Sequence, residues 1–194
     1  MLAFWVLLGM HGVLAAAEGK RRGFIMLGIA IGMGVLTKGP VILLDLLPVA
    51  VLAPWWNPGL PHKGTQTSYG LKPAKDRMNW GRWYGSLVLA VLLGAAIALA
   101  WALPAGMAGG EAYRNAIFWG QTANRMVESF AHQRPFWWYV PLLPVLLFPW
   151  FVWPGLWKAL AHHRKTGLDR GTRFCLAWML PVFIAFSFIS GKQP

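Results

Sequence analysis

Residues 23–56 read GFIMLGIAIGMGVLTKGPVILLDLLPVAVLAPWW, two apolar runs separated only by Thr37-Lys38-Gly39-Pro40. The run 23–36 carries no charge, and 41–56 carries only Asp45. As helices they would rise about 21 to 24 Å, short of the roughly 30 Å of a bilayer's hydrocarbon core. So brief a polar break predicts a tight helical hairpin whose ends lie in the headgroup zone or within protein, where irregular backbone is tolerated. Proline suits the first turn of a helix, and Thr or Gly the cap before it. A third helix is therefore expected to begin at this junction, with free N–H groups and the positive end of its dipole beside Lys38. A lysine at a helix N-terminus, at the depth of a lipid phosphate, makes an anion site. The same residue is also readable as a snorkelling lysine that merely ends the hairpin.

Outward from the hairpin, four more apolar runs follow the same logic: 2–17, 83–103, 140–160 and 174–190. Hydrophobic residues make up 57% of the 194-residue chain and charged residues only 12%, against roughly 25% charged in a soluble domain. A soluble core of this size cannot hide that much apolar surface, which excludes a cytosolic enzyme, and disorder is excluded by the same figures. The expected fold is an all-α integral membrane protein, a single transmembrane domain over 1–194 with about six transmembrane helices. The 13 Trp and 14 Pro fit interface anchors and kinked or short helices. Gly28 and Gly32 form a small-x-x-x-small face for close helix packing.

The net charge of +12 resides in short loops between apolar runs, which membrane topology explains better than nucleic-acid binding. Lys20, Arg21 and Arg22 follow the first run; Lys63, Lys72, Lys75, Arg77 and Arg82 occupy 57–82 against Asp76; Arg164, Lys165, Arg170 and Arg173 occupy 161–173 against Asp169. The positive-inside rule puts 18–22, 57–82 and 161–173 in the cytoplasm, and Lys38, the segment 104–139 and the C-terminal residues outside. Three basic residues follow the first apolar run and none precedes it, the reverse of a secretory signal. The lone Cys175 lies in an apolar run and permits no intramolecular disulfide.

From 111 to 130 no proline interrupts, and Arg114, Gln121, Arg125, Glu128 and His132 recur at helical spacing. This predicts an amphipathic helical outer segment on the membrane surface. Its polar stripe either lines a cavity for a sugar or phosphate or is a solvated face with an Arg125–Glu128 pair, and periodicity fits both. Next comes His132-Gln133-Arg134-Pro135-Phe136-Trp137-Trp138-Tyr139, where Pro135 forces Arg134 toward extended geometry and the aromatics enter the interface belt. No second His or Cys sits at zinc-ligand spacing on this side. Asp45, the one acid within a run, is expected to face the bundle interior.

Three motifs carry a family likeness. Gly32-Met33-Gly34-Val35-Leu36-Thr37-Lys38-Gly39-Pro40 resembles the G-x-L-T-K-G-P hairpin of polyprenyl-phosphate-sugar-dependent membrane glycosyltransferases, which include the lipid A aminoarabinose transferases and are related to protein O-mannosyltransferases. The stretch from Phe130 to Tyr139, with Pro141 and Pro149-Trp150, and the terminal Ser190-Gly191-Lys192-Gln193-Pro194 match the same family in order. The resemblance covers essentially the whole chain and implies a GT-C-like fold in the cell inner membrane. It also implies transfer of a sugar from a polyprenyl-phosphate-linked donor to a lipid (lipid A-like), glycan or protein acceptor at the outer face. By position, Lys38, Arg125, His132 and Lys192 match the cationic positions that the family places around the lipid-phosphate and sugar cavity. No cofactor and no metal site is read from the residues, metal dependence is left open, and nucleic acid is set aside on the charge pattern alone. The family's acidic residue in a first outer loop has no counterpart here, and neither Glu111 nor Glu128 fits that role. The family also continues after G-K-x-P, so the chain reads as a fragment of a longer enzyme and no catalytic residue is assigned within it. The competing classes are a transporter or flippase, suggested by Asp45 and the proline-broken runs, and a non-catalytic membrane remnant.

Overall fold

The first apolar run folds as α1 (Leu2–Ala17) and turns at Glu18–Arg21, where Gly19 takes a φ of 85° and Lys20 pairs with Glu18 at 2.7 Å. The chain then returns along α1 as α2 (Arg22–Lys38). This computed structural model describes residues 1–57, 78–110 and 139–188, and the chain divides into two compact units, Met1–Leu99 and Ala100–Pro194. All regular structure among the described residues is helical.

In the first unit small residues set the spacing. A Cβ on Gly12 would stand 2.7 Å from the Gly23 carbonyl oxygen, so α1 and α2 touch backbone to backbone. The Gly28/Gly32 face of α2 packs on α5 (Trp80–Ala108) in the same way: a Cβ on Gly28 would lie 2.8 Å from the Ala90 carbonyl oxygen, and one on Gly32 2.7 Å from Ile97 Cβ. Such approach gains dispersion contact that larger side chains would prevent.

The run 41–56 is not one helix. It divides at Leu52 into α3 (Val41–Val51) and the single turn α4 (Ala53–Trp56). The cause is Pro54, which has no N–H to offer the carbonyl of Ala50 four residues earlier. The four carbonyls at the end of α3, which have no partner within the helix itself, each find another donor. The Leu52 N–H donates to Pro48 O at 2.9 Å, and the fully buried Trp56 indole N–H to Val49 O at 2.8 Å. Reaching across from α5, the Trp83 indole N–H donates to Ala50 O and the Tyr84 hydroxyl to Val51 O, both at 2.9 Å. Trp83 also stands edge-on to Phe24 at 5.0 Å, which joins the start of α2 to the same cluster.

The helix α5 is the one among the described residues long and apolar enough by itself to cross a membrane. It begins before the apolar run, at Trp80, because the Asn79 side-chain oxygen accepts the Arg82 N–H at 3.1 Å and caps the first turn. It also continues through Pro104 to Ala108. One proline removes one hydrogen bond, and the flanking Ala, Leu and Met residues favour helix enough to continue it.

The second unit contains α6 (Tyr139–Leu146), a 3-10 turn at Trp150–Val152, α7 (Pro154–Thr166) and α8 (Arg170–Phe188). The run 140–160 is therefore also broken. Pro149 and Pro154 lack N–H donors, and Pro154 holds the preceding Trp153 in extended geometry at φ −72°, ψ 120°. Residues 161–166, expected in a basic loop, form the last turns of α7; His163, Arg164 and Lys165 suit its negative end. Gly167, at φ 81°, ends the helix, so only 167–169 separate α7 from α8. Asp169 caps α8, accepting the Gly171 N–H at 3.1 Å and a short bond from the Thr172 hydroxyl. His163 braces this corner from α7, its Nε2 lying 3.7 Å from the Asp169 carboxylate.

Two outcomes are expected. Replacing Trp83 with Phe leaves the Ala50 carbonyl without its donor and lowers stability by about 1–3 kcal/mol, measurable by thermal unfolding in detergent or nanodiscs. The Thr172 hydroxyl foremost, then the backbone N–H groups of Thr172 and Gly171 and the charge of His163, hold Asp169 below its ordinary value of 3.8. A carboxylate lowered in the folded state stabilises fully above the unfolded value and loses its contribution as pH falls through the folded one. Amide protection in the first turn of α8 should hold from neutral pH down to about 3.8 and fall only below it. Asp169→Asn should abolish that pH dependence.

Candidate functional site

The hairpin at Thr37–Pro40 is built from two helix ends. Lys38 is the last residue of α2, and Gly39 closes that helix by donating its N–H to Val35 O at 2.8 Å. Gly39 has φ 75° and ψ −163°, a region open in practice only to glycine. Pro40 is then the cap of α3 at φ −70°, ψ 0°, with its carbonyl accepting the Leu43 N–H at 3.0 Å. Two expectations are corrected here. Pro40 precedes the first turn of α3 rather than lying in it, and neither Thr37 nor Gly39 caps that helix. The Thr37 hydroxyl instead donates back to Met33 O at 2.7 Å, an intrahelical bond that competes with capping.

The two helix ends act differently: the end of α2 favours the cation, and the start of α3 favours an anion beside it. The Lys38 ammonium lies at the negative end of the α2 dipole, which stabilises a cation there. Three residues on, at Val41, α3 begins, and the first N–H groups of a helix lack intrahelical acceptors. Lys38 is exposed and makes no ion pair with any described residue. An exposed ammonium beside a helix N-terminus is suited to a phosphate or another compact anion.

The hairpin rests on a firm base. Ile42 is fully buried with its side chain over Gly34, where any Cβ would collide with it, and Leu46 fills the space above Gly9. These contacts seat α3 on α2 and α1. Asp45, half-buried on α3, has interactions of its own.

Of the four site residues read from the sequence, the structure places Lys38. Arg125, His132 and Lys192 lie outside the described residues, as does the stripe from Arg114 to Glu128. His162 and His163 lie in α7, and Cys175 is exposed on α8. Among the described residues no three His, Cys, Asp or Glu side chains gather where a metal could bind. The sequence reading missed the donors that hold α3 in place, Trp56, Trp83 and Tyr84. The available signal was Pro54, four residues after a carbonyl that it cannot serve.

Comparison with known proteins gives a consistent set of relatives. The chain is 32% identical over 196 residues to an undecaprenyl phosphate-alpha-4-amino-4-deoxy-L-arabinose arabinosyl transferase of Enterobacter sp., covering 100% of this chain and 31% of that protein. It is 32% identical over 197 residues to the protein of the same name from Edwardsiella ictaluri, with 100% and 31% covered. The Pseudomonas aeruginosa protein of that name is 32% identical over 200 residues, with 98% and 32% covered. The chain thus spans about a third of the length of these curated relatives. No family model and no solved structure matches it.

The geometry of Gly39 yields an outcome specific to this hairpin. Nothing lies within 4 Å of a Cβ placed there, so the obstacle to substitution is purely conformational. Gly39→Ala should cost about 1–3 kcal/mol through its backbone angles alone, read as a lower unfolding temperature. An alanine at the exposed, helical Thr37 should leave that temperature nearly unchanged.

Proposed function

From its 32% identity to undecaprenyl phosphate-aminoarabinose arabinosyl transferases over about a third of their length, we propose that the chain belongs to their family and forms part of the donor site of a membrane glycosyltransferase. The complete enzyme moves a sugar from a polyprenyl-phosphate-linked donor to a lipid, glycan or protein acceptor at the outer face of the membrane. Lys38, Arg125, His132 and Lys192 bind the phosphate and sugar of that donor. The chain crosses the cell inner membrane six times in a GT-C-like arrangement, with 18–22, 57–82 and 161–173 in the cytoplasm and 104–139 outside.

The observation that carries this reading is the exposed Lys38 ammonium at the meeting of two helix ends, within a hairpin that shares the family's G-x-L-T-K-G-P pattern. As the glycosidic bond breaks, negative charge grows on the departing polyprenyl phosphate. An ammonium carried on a supported backbone, with oriented N–H groups beside it, stabilises that charge with little reorganisation. At the edge of the hydrocarbon region, where the effective dielectric is far below that of water, the same charges act more strongly.

Lys38→Ala in the complete enzyme should lower the rate of sugar transfer roughly 10²–10³-fold, as loss of one fixed stabilising group does elsewhere. Lys38→Arg, which keeps the charge, should retain much more activity. Helix content and unfolding temperature report whether the Ala variant is folded. Transfer by folded Lys38→Ala at the normal rate, with normal donor affinity, would contradict the phosphate role.

A further inference from the structure

The break at Trp153 and the corner at 167–169 set α7 apart at both ends, and its surface has two chemically opposite faces. Successive residues turn by about 100° around a helix. Trp153, Leu156, Trp157 and Leu160 therefore share one side, and Lys158, His162 and Lys165 share the other. All seven are exposed, the four apolar ones by 58%, 39%, 48% and 52%, and no residue of α7 is buried. The helix contains no acidic side chain. Arg164 falls near the apolar side in the last turn, where its long stem can lie along lipid while the guanidinium reaches the headgroups.

From these faces we infer that α7 lies in the plane of the membrane surface and binds anionic phospholipid headgroups. The apolar side enters the headgroup–acyl boundary, with Trp153 and Trp157 at the level that tryptophan prefers. The basic side and Arg164 attract the negative surface, since the helix presents cations without a competing carboxylate of its own. The corner to α8 fixes this arrangement from the other end: Gly167 stops α7, and His163 reaches Thr172 at 3.4 Å and Asp169 at 3.7 Å across it. If α8 enters the bilayer, α7 is thereby held at its mouth. This leaves 139–153 for the preceding crossing and makes α7 a surface anchor. The inference depends on the membrane and not on sugar transfer.

Nitroxide labels on the complete chain test it, placed singly at Leu156→Cys, Leu160→Cys, Lys158→Cys and Lys165→Cys in a Cys175→Ser background. The vesicles are phosphatidylcholine with or without phosphatidylglycerol. Power-saturation EPR with oxygen and a water-soluble nickel chelate then reads the depth of each label. The expected result is one shallow lipid depth for 156 and 160, aqueous exposure for 158 and 165, and deeper seating of the apolar face when phosphatidylglycerol is present. Replacing Lys158, Arg164 and Lys165 together with Gln should remove that dependence on phosphatidylglycerol. Depth increasing steadily along the helix would show a transmembrane α7 and overturn the inference. So would labels that neither reagent reaches, which would mean that another part of the protein covers the face. Equal depth in both lipid mixtures would overturn the anionic-lipid part.

Discussion

The end of α3 poses a demand that much of the first unit is arranged to meet. A helix leaves its last four carbonyls without partners, and Pro54 removes the donor that would have served one of them. In apolar surroundings each unmet carbonyl costs several kcal/mol. The chain answers with one backbone N–H, two indole N–H groups and a phenol hydroxyl, and two of these come from α5. Polar satisfaction at this one point therefore fixes which part of α5 faces which part of α3. The Phe24–Trp83 contact ties α2 into the same arrangement.

The opposite end of α2 and α3 inherits that rigidity. With α3 held at its far end by α5 and along its length by Ile42 and Leu46, the turn at Gly39 has little freedom left. Lys38 is thus presented by a supported hairpin and not by a loose loop. A held backbone leaves only the lysine side chain to reorganise when the bond breaks, which stabilises a developing charge better than a mobile loop would. The glycines that let α2 approach α1 and α5 serve the proposed site indirectly, by making the support compact.

How much of this was legible in the sequence depends on where the signal lay. The runs 2–17 and 23–36 became helices with nearly the same bounds, because polar turn residues flank them and nothing within them breaks a helix. The runs 41–56 and 140–160 did not remain whole, and hydropathy could not show it, since an almost wholly apolar stretch, with Asp45 or Lys158 its one charge, carries no periodicity to interrupt. Pro54, Pro149 and Pro154 marked the breaks, but Pro104 and Pro181 lie inside helices that continue. A proline ends a helix where the freed carbonyl finds another donor and the chain can turn, and the donor for Ala50 lies 33 residues away at Trp83. The hairpin around Lys38 was legible from its pattern. Its assignment to the end of α2 was not, because that depends on the left-handed backbone of Gly39. The remaining proposed contacts, Arg125, His132 and Lys192, rest on the family motifs.

The central claim is that the tip of this hairpin faces outward and meets the phosphate of a lipid-linked sugar. The most direct measurement is labelling of Thr37→Cys, which keeps Lys38 intact, by a membrane-impermeant maleimide on the complete protein in a Cys175→Ser background. Thr37 is exposed and adjacent to the ammonium, so its thiol reports on both sidedness and occupancy. The account predicts labelling from the outer side only, slowed by added polyprenyl phosphate but not by a neutral polyprenol. Labelling from the cytoplasmic side, or a rate indifferent to the lipid phosphate, would contradict it.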